Sequence, residues 1–193
     1  TLTNGDFVLS ESKAIHGSEE ELLELAKAAE SRSNHPIATA IKLAGGASYD
    51  ESLLTSYTEV AGRGIACTYQ GQEVLVGNAR LLEENHVEFE TVNAVGSIVY
   101  VAANHKYRGF LVCRDTLRNQ SKEMVERLHQ AKVQITMLTG DKETVAKGVS
   151  QELGLDEYHA ELLPQDKTRL LQEKIQAADQ AVAYMGDGIN DAA

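Results

Sequence analysis

No apolar run in this chain of 193 residues approaches the ~20 residues that a helix needs to cross a bilayer. No charged-then-apolar leader opens it either, so it reads as a water-soluble piece. Positive charge is short: 18 Lys and Arg stand against 29 Asp and Glu, a formal net charge of -11. A surface of that sign repels a phosphate backbone, which argues against nucleic acid as a partner. Cysteine is scarce too. Cys67 and Cys113 lie far apart in apolar contexts, and neither has a CxxC partner. Both read as small buried hydrophobes of a protein kept in a reducing, cytosolic setting, not as a disulfide framework. What the chain does have is apolar content, 42% of its residues, enough for the cores of one or two domains.

The two halves follow different patterns. In the second half, predicted strands at 109–113, 133–138, 159–163 and 181–185 alternate with predicted helices at 121–131, 144–153 and from Pro164 through Ile175. Gly154 is a natural stop for the middle helix. Strands separated by helices of this length favour a parallel sheet with right-handed crossovers. The first half opens with Ser18 and Glu21, a capping box ahead of Leu22, Leu25, Ala26 and Ala29. A second helix is predicted from Pro36 to about Leu43, broken by Gly45-Gly46. Short β-rich runs follow at 55–61, 65–69, 73–76 and 97–103, with hairpin turns at Gln70-Gly71 and Asn104-His105 and a short helix at 81–84. Two helices with a mostly antiparallel sheet form an α+β pattern. The predicted organisation is therefore an α+β module, Lys13 to Arg108, inserted into a parallel α/β domain made of residues 1–12 and 109–193.

Chemistry-bearing residues gather where predicted strands end. After 133–138 comes Thr139-Gly140-Asp141; after 181–185 comes Gly186-Asp187-Gly188-Ile189-Asn190-Asp191. Strand tips of a parallel sheet converge on one crevice at its carboxyl edge. Two aspartates there suit a hard cation such as Mg²⁺, which takes oxygen ligands and keeps several waters. Thr139 and the amide of Gly140 can grip a phosphoryl oxygen, and Lys167, at a helix start, can neutralise its charge.

These segments, in this order, resemble the heavy-metal-transporting P-type ATPases of the haloacid-dehalogenase-like fold group. Thr1-Leu2-Thr3 resembles the tail of that family's Asp-Lys-Thr-Gly-Thr-Leu-Thr phosphorylation motif. Asp115-Thr116-Leu117-Arg118 resembles its Asp-x-x-Arg element, and Thr139-Gly140-Asp141 and Gly186 to Asp191 resemble its hinge and metal motifs. Ser33-Asn34-His35-Pro36-Ile37-Ala38 resembles the Ser-x-His-Pro motif of the heavy-metal subgroup, with Glu30 at its acidic position. Gly62-Arg63-Gly64-Ile65 resembles the Gly-x-Gly nucleotide loop, and Val76-Gly77-Asn78 the Gly-Asn that follows it.

The resemblance implies a haloacid-dehalogenase-like phosphorylation domain carrying an inserted nucleotide-binding domain. ATP is expected beside Glu30, His35, Gly62, Gly64, Ile65 and Asn78, and Mg²⁺ on Asp187, Asn190 and Asp191. Thr139, Gly140, Asp141, Lys167 and Asp115 are expected to serve phosphoryl transfer. The receiving aspartate would lie just upstream of Thr1, so the chain is expected to be an excerpt that cannot turn over alone. Ala193 stands where many members carry proline. The implied partners are the transmembrane and actuator domains of the same parent chain and the heavy-metal ion that the membrane part handles, at the cytoplasmic face of a membrane. The sequence from Ile189 to Ala192 leans toward the divalent-metal group over copper.

Two other classes compete with this reading. A soluble phosphatase of the same fold group, with the insertion as its cap, needs an N-terminal Asp-x-Asp pair. This chain shows only Asn4-Gly5-Asp6, past the expected position. A non-catalytic nucleotide-binding module is the other reading, which the excerpt by itself would match.

Overall fold

The computed structural model describes residues 2–186, and the chain divides into two compact units. One is Gly5–Thr116; the other is Thr1–Asn4 with Leu117–Ala193.

The first unit is built on one antiparallel sheet. Strand β1 (Thr3–Ala14) is followed by helices α1 (Glu19–Glu30) and α2 (Pro36–Leu43). A single turn at Glu51–Leu53 then opens a meander of β2 (Leu54–Val60), β3 (Gly64–Tyr69) and β4 (Gln72–Gly77). After α3 (Ala79–Glu84) it continues through β5 (Ser97–Ala103) and β6 (Lys106–Leu117). The sheet order is β1-β6-β5-β4-β3-β2. Each meander strand therefore pairs antiparallel with the next, and β1 closes the far edge against β6. Ile15 N donates to Arg108 O at one end of that last pair and Arg118 N to Leu2 O at the other, so it too runs antiparallel. Gln70-Gly71 and Asn104-His105 form the two-residue loops expected of them. Their φ angles are positive at both positions (50° and 74°; 51° and 59°), the turn whose twist matches that of the strands it joins.

Both faces of the sheet are covered. Leu22, Ala26 and Ala29 of α1 and Ile41 of α2 pack with Val74, Val76, Val101 and Leu111. Leu81 and Leu82 of α3, with Val87, pack on Leu75, Tyr100 and Phe110 from the other side. That is why β4 is buried without interruption from Val74 to Gly77 instead of alternating. Each buried Leu, Ile, Val or Phe among them stabilises by about 1.5–3 kcal/mol, and the helix they anchor carries Glu30 as its last residue. Helix α1 starts as its sequence requires. Ser18 Oγ accepts from Glu21 N at 3.1 Å, and the Glu21 carboxylate accepts from Ser18 N at 3.1 Å. Ser18→Ala is expected to lower stability by about 1 kcal/mol; an unmoved urea midpoint would contradict that cap.

The second unit contains α4 (Asn119–Gln130), β7 (Thr136–Leu138), α5 (Glu143–Leu153), β8 (Glu157–His159) and α6 (Pro164–Ala177). Strands β7 and β8 are parallel and joined by α5, which ends at Gly154 in a left-handed conformation (φ 71°). The predicted parallel pairing is therefore present, with mixed α/β character across the whole chain.

Four predicted strands fall otherwise in the structure. Residues 109–113 are not a strand of the parallel sheet: they lie in β6, paired antiparallel with β5. An apolar run looks the same in a covered antiparallel sheet as in a parallel one. Of 133–138 only Thr136–Leu138 is strand, and the strand expected at 159–163 falls earlier, at Glu157–His159. Residues 181–185 form no strand. They carry no ladder partner among the described residues, and Val182, Tyr184 and Met185 are 40%, 38% and 71% exposed. A strand is defined by its neighbour, and apolar sequence alone does not supply one. The chain passes between its compact units at Asn4–Gly5 and Thr116–Leu117; the domain bounds expected from the sequence are 12–13 and 108–109. Both β1 and β6 are 12-residue strands that run on past the predicted boundaries.

Candidate functional site

Glu30, the last residue of α1, is only 7% exposed. Burial in this apolar setting pushes its carboxyl up from 4.5 to about 7, against the lowering effects of a hydrogen bond from the Ser33 side chain and of the nearby Lys42 charge; Glu59 raises it further. Glu30 is tied to the following turn, where Ser33 N donates to Glu30 O at 3.1 Å and His35 N donates to Ser33 Oγ at 3.3 Å. His35 is exposed and caps α2, its Nδ1 accepting from Ile37 N at 3.2 Å. Pro36 occupies the first helical turn, where its missing N–H costs nothing. One short turn thus presents a buried carboxyl and an exposed imidazole.

The glycine loop belongs to the same end of the sheet as Glu59. Tyr57 pairs with Cys67, Glu59 with Ile65 and Val60 with Gly64 across β2 and β3, so Glu59 sits next to the loop and within electrostatic reach of Glu30. Gly64 pairs with Gly77 at a backbone crossing with no room for a side chain. A Cβ on Gly64 would stand 2.2 Å from Val76 O, and one on Gly77 would stand 2.2 Å from Arg63 O. Gly62, by contrast, faces open space. Asn78 fastens the loop: its Nδ2 donates to Gly62 O at 2.9 Å, while its Oδ1 accepts from Leu81 N at 3.3 Å to cap α3. Ile65 is 4% exposed and packed in the core, so only its backbone can meet a ligand. Loop amides freed of side chains are suited to phosphate oxygens.

The sequence reading missed Tyr57, Glu59 and Lys42, which complete the surroundings of Glu30 together with Cys67. For Tyr57 and Glu59 the signal was their i, i+2 spacing in β2, legible only once its register with β3 is known. Tyr57 donates to Glu59 at 3.0 Å, and burial, helped by that bond, holds its phenol protonated well above the usual range. The Cys67 and Cys113 thiols are both free, buried and pushed up to about 11, first by burial and then by Glu30. They are unreactive core residues, as composition suggested.

In the second unit, Thr139-Gly140-Asp141 follows β7 directly. Thr139 Oγ1 donates to Asp141 Oδ2 at 2.7 Å and accepts from Asp141 N at 3.1 Å. The loop after β8 is bonded to it through Thr139 N to His159 O, Leu162 N to Thr139 O and Glu161 N to Asp141 O. The tips of two parallel strands are thereby joined at their carboxyl edge, with Lys167 in the first turn of the helix that follows. Asp115 lies in the β1–β6 ribbon, where its carboxylate accepts from Gly5 N at 2.9 Å. Asp187, Asn190 and Asp191 lie outside the described residues. Thr139 and Asp141 offer the oxygen donors that Mg²⁺ prefers, although no cluster of three His, Cys, Asp or Glu residues suited to a metal is present among the described residues. No helix among them is long and apolar enough to cross a membrane.

Residues 1–193 match the haloacid dehalogenase-like hydrolases along their whole length, and the chain belongs to that family. Its relatives are heavy-metal pumps. A zinc-transporting ATPase of Synechocystis is 40% identical over all of this chain and 27% of its own length. A cadmium, zinc and cobalt-transporting ATPase of Bacillus subtilis is 36% identical over 99% of this chain and 28% of its own. The chain thus spans about a quarter of the length of these curated relatives. Among solved structures, a zinc-transporting PIB-type ATPase in its E2.Pi state superposes with a TM-score of 0.76 at 32% identity, over 99% of this chain and 32% of that one. The catalytic domain of the CPx-ATPase CopB-B, described for its conformational changes upon nucleotide binding, superposes with a TM-score of 0.73 at 27% identity, over all of this chain and 71% of that one.

Proposed function

We propose that this chain is the ATP-handling region of a heavy-metal-transporting P-type ATPase, at the cytoplasmic face of a membrane. The Gly5–Thr116 unit binds ATP, and the second unit belongs to the domain that takes part in phosphoryl transfer. The observation that carries this reading is the joining of a buried carboxyl, Glu30, to an exposed imidazole, His35, with Glu59 linking Glu30 to the loop flanked by Gly62 and Gly64. A purine needs polar partners for its edge and a flat group against its face. Polyphosphate needs backbone amides that nothing obstructs. His35 supplies the flat group, Glu30 the edge partner, and the Gly62–Gly64 and Ile65 backbone the amides. Asn78 holds that loop in shape.

Thr139 and the Gly140 amide grip the transferred phosphoryl group and Lys167 neutralises its charge, Asp141 shares the Mg²⁺ that the phosphoryl group brings, and Asp115, the aspartate of the Asp-x-x-Arg element, serves the same transfer. The acceptor is an aspartate that the resemblance places just upstream of Thr1. Asp187, Asn190 and Asp191 would hold Mg²⁺, which screens phosphate charge during in-line transfer. The transmembrane and actuator parts of a longer parent chain are the partners, and the transported metal ion is cargo handled by the membrane part.

The test is calorimetric titration with ATP. His35→Ala removes the flat group and the acceptor that caps α2, and it is expected to weaken ATP binding about tenfold. Unchanged affinity in this variant and in Gly62→Ala together would take the insertion out of the nucleotide site.

A further inference from the structure

We propose that Lys42 is a positioning residue of the nucleotide site: its ammonium pins the carbonyl of Ser33 and so fixes the turn that presents the His35 imidazole. This rests on the reading that ATP binds at that turn. It goes beyond it, because Lys42 acts through His35 and need not touch the nucleotide.

Lys42 stands in the last turn of α2, about two turns beyond His35 and on the same helix face. Helical side chains lean toward the N-terminus, and the long Lys42 stem follows that direction back past the start of the helix. There its Nζ donates to Ser33 O at 2.6 Å, a charge-assisted bond of the stronger kind. Ser33 is only 8% exposed, so little water competes for its carbonyl. Ser33 is also where the bonds of the turn meet. Its N donates to Glu30 O at 3.1 Å, and its Oγ accepts from His35 N at 3.3 Å. His35 then sets its ring by accepting at Nδ1 from Ile37 N at 3.2 Å. The path runs from Lys42 through Ser33 and His35 to Ile37, and closes on α2 itself.

The helix is anchored without this bond; the turn is not. Ala38, Ala40 and Ile41 bury the inner face of α2. Its far end is held from α1, where the buried Lys27 donates to Ala44 O and, at 2.8 Å, to Ala47 O. Residues 31–35 belong to no helix or strand, and Arg32, Asn34 and His35 are exposed. A span without ladder bonds takes its shape from side-chain bonds to its backbone. The Lys42 charge also reaches the Glu30 carboxyl, so the test must separate a positioned imidazole from a balanced carboxylate.

Lys42→Met keeps the aliphatic stem and removes the donor. In the ligand-free chain, amide hydrogen exchange at His35 and Ile37 is expected to quicken about fivefold, with the amides of β4 unchanged. ATP is then titrated calorimetrically into wild type, Lys42→Met, His35→Ala and the double variant. Under the proposal Lys42→Met binds about fivefold more weakly, because only a fraction of the molecules hold the imidazole in place. On the His35→Ala background the same substitution changes affinity by less than about twofold, since the group it positions is gone. A Lys42→Met chain that binds ATP as wild type does overturns the proposal. An equal loss on both backgrounds overturns it too, and moves the effect of Lys42 to the Glu30 carboxyl or to the phosphates. Both of those outcomes leave the ATP assignment standing. Failure of wild type to bind ATP overturns that assignment, and this proposal with it.

Discussion

Gly64→Ala is expected to cost the Gly5–Thr116 unit roughly 3–5 kcal/mol, from backbone strain and overpacking together. Gly64 has φ 143°, a region that L side chains rarely adopt. The new methyl would also stand 2.2 Å from Val76 O and 2.5 Å from the Cα of Gly77. Those neighbours are backbone of the paired strand, so relief requires parting the β3–β4 ladder where Gly64 opposes Gly77. A loss of that size is a large share of the ~5–15 kcal/mol that holds a domain together. Gly62→Ala is the control. Its φ is 69° with nothing within 4 Å, so its cost is about 1 kcal/mol. Denaturant unfolding of both variants checks the pair, and a Gly64→Ala midpoint equal to that of Gly62→Ala would show that the crossing is not as tight as described.

Glu30→Gln is expected to stabilise the same unit by up to about 3 kcal/mol at alkaline pH and by almost nothing under acid conditions. The folded-state carboxyl, at about 7, is raised above its ordinary 4.5. Between those values the folded chain keeps a proton that the unfolded chain has released, so stability falls as pH rises through this window. Below it both states are neutral and nothing is lost; above it the folded state carries the whole cost of a buried charge. The amide has no such cost at any pH. Thermal melts of wild type and variant at several pH values test this, and parallel curves across the window would mean that Glu30 is ionised and well solvated. A residue that weakens its own fold near neutral pH is what a binding site retains when the ligand needs that group.

Much of this was legible in one dimension. Ser18 with Glu21, Pro36, Gln70-Gly71 and Gly154 act on their immediate neighbours, and the elements they start or end fall where the sequence placed them. The motif residues Glu30, Ser33 and His35 are close in sequence, so their hydrogen-bonded turn is also a local matter. Less legible was anything that depends on a partner strand. Residues 109–113 and 181–185 carry similar apolar runs, yet one is a central part of β6 and the other forms no strand. That the Asn78 side chain clamps Gly62 and caps α3 was likewise not legible in the sequence.

The sequence alone determined the alternation of elements, the turn chemistry and the family, because these rest on local backbone preference and on the order of short motifs along the chain. Only the tertiary structure decided that β1 closes the meander against β6, that Glu59 and Tyr57 come to face Glu30, and that the carboxyl is buried deeply enough to hold a proton near neutral pH. Strand register and desolvation are properties of what packs against a residue, and a linear pattern does not record its neighbours in space.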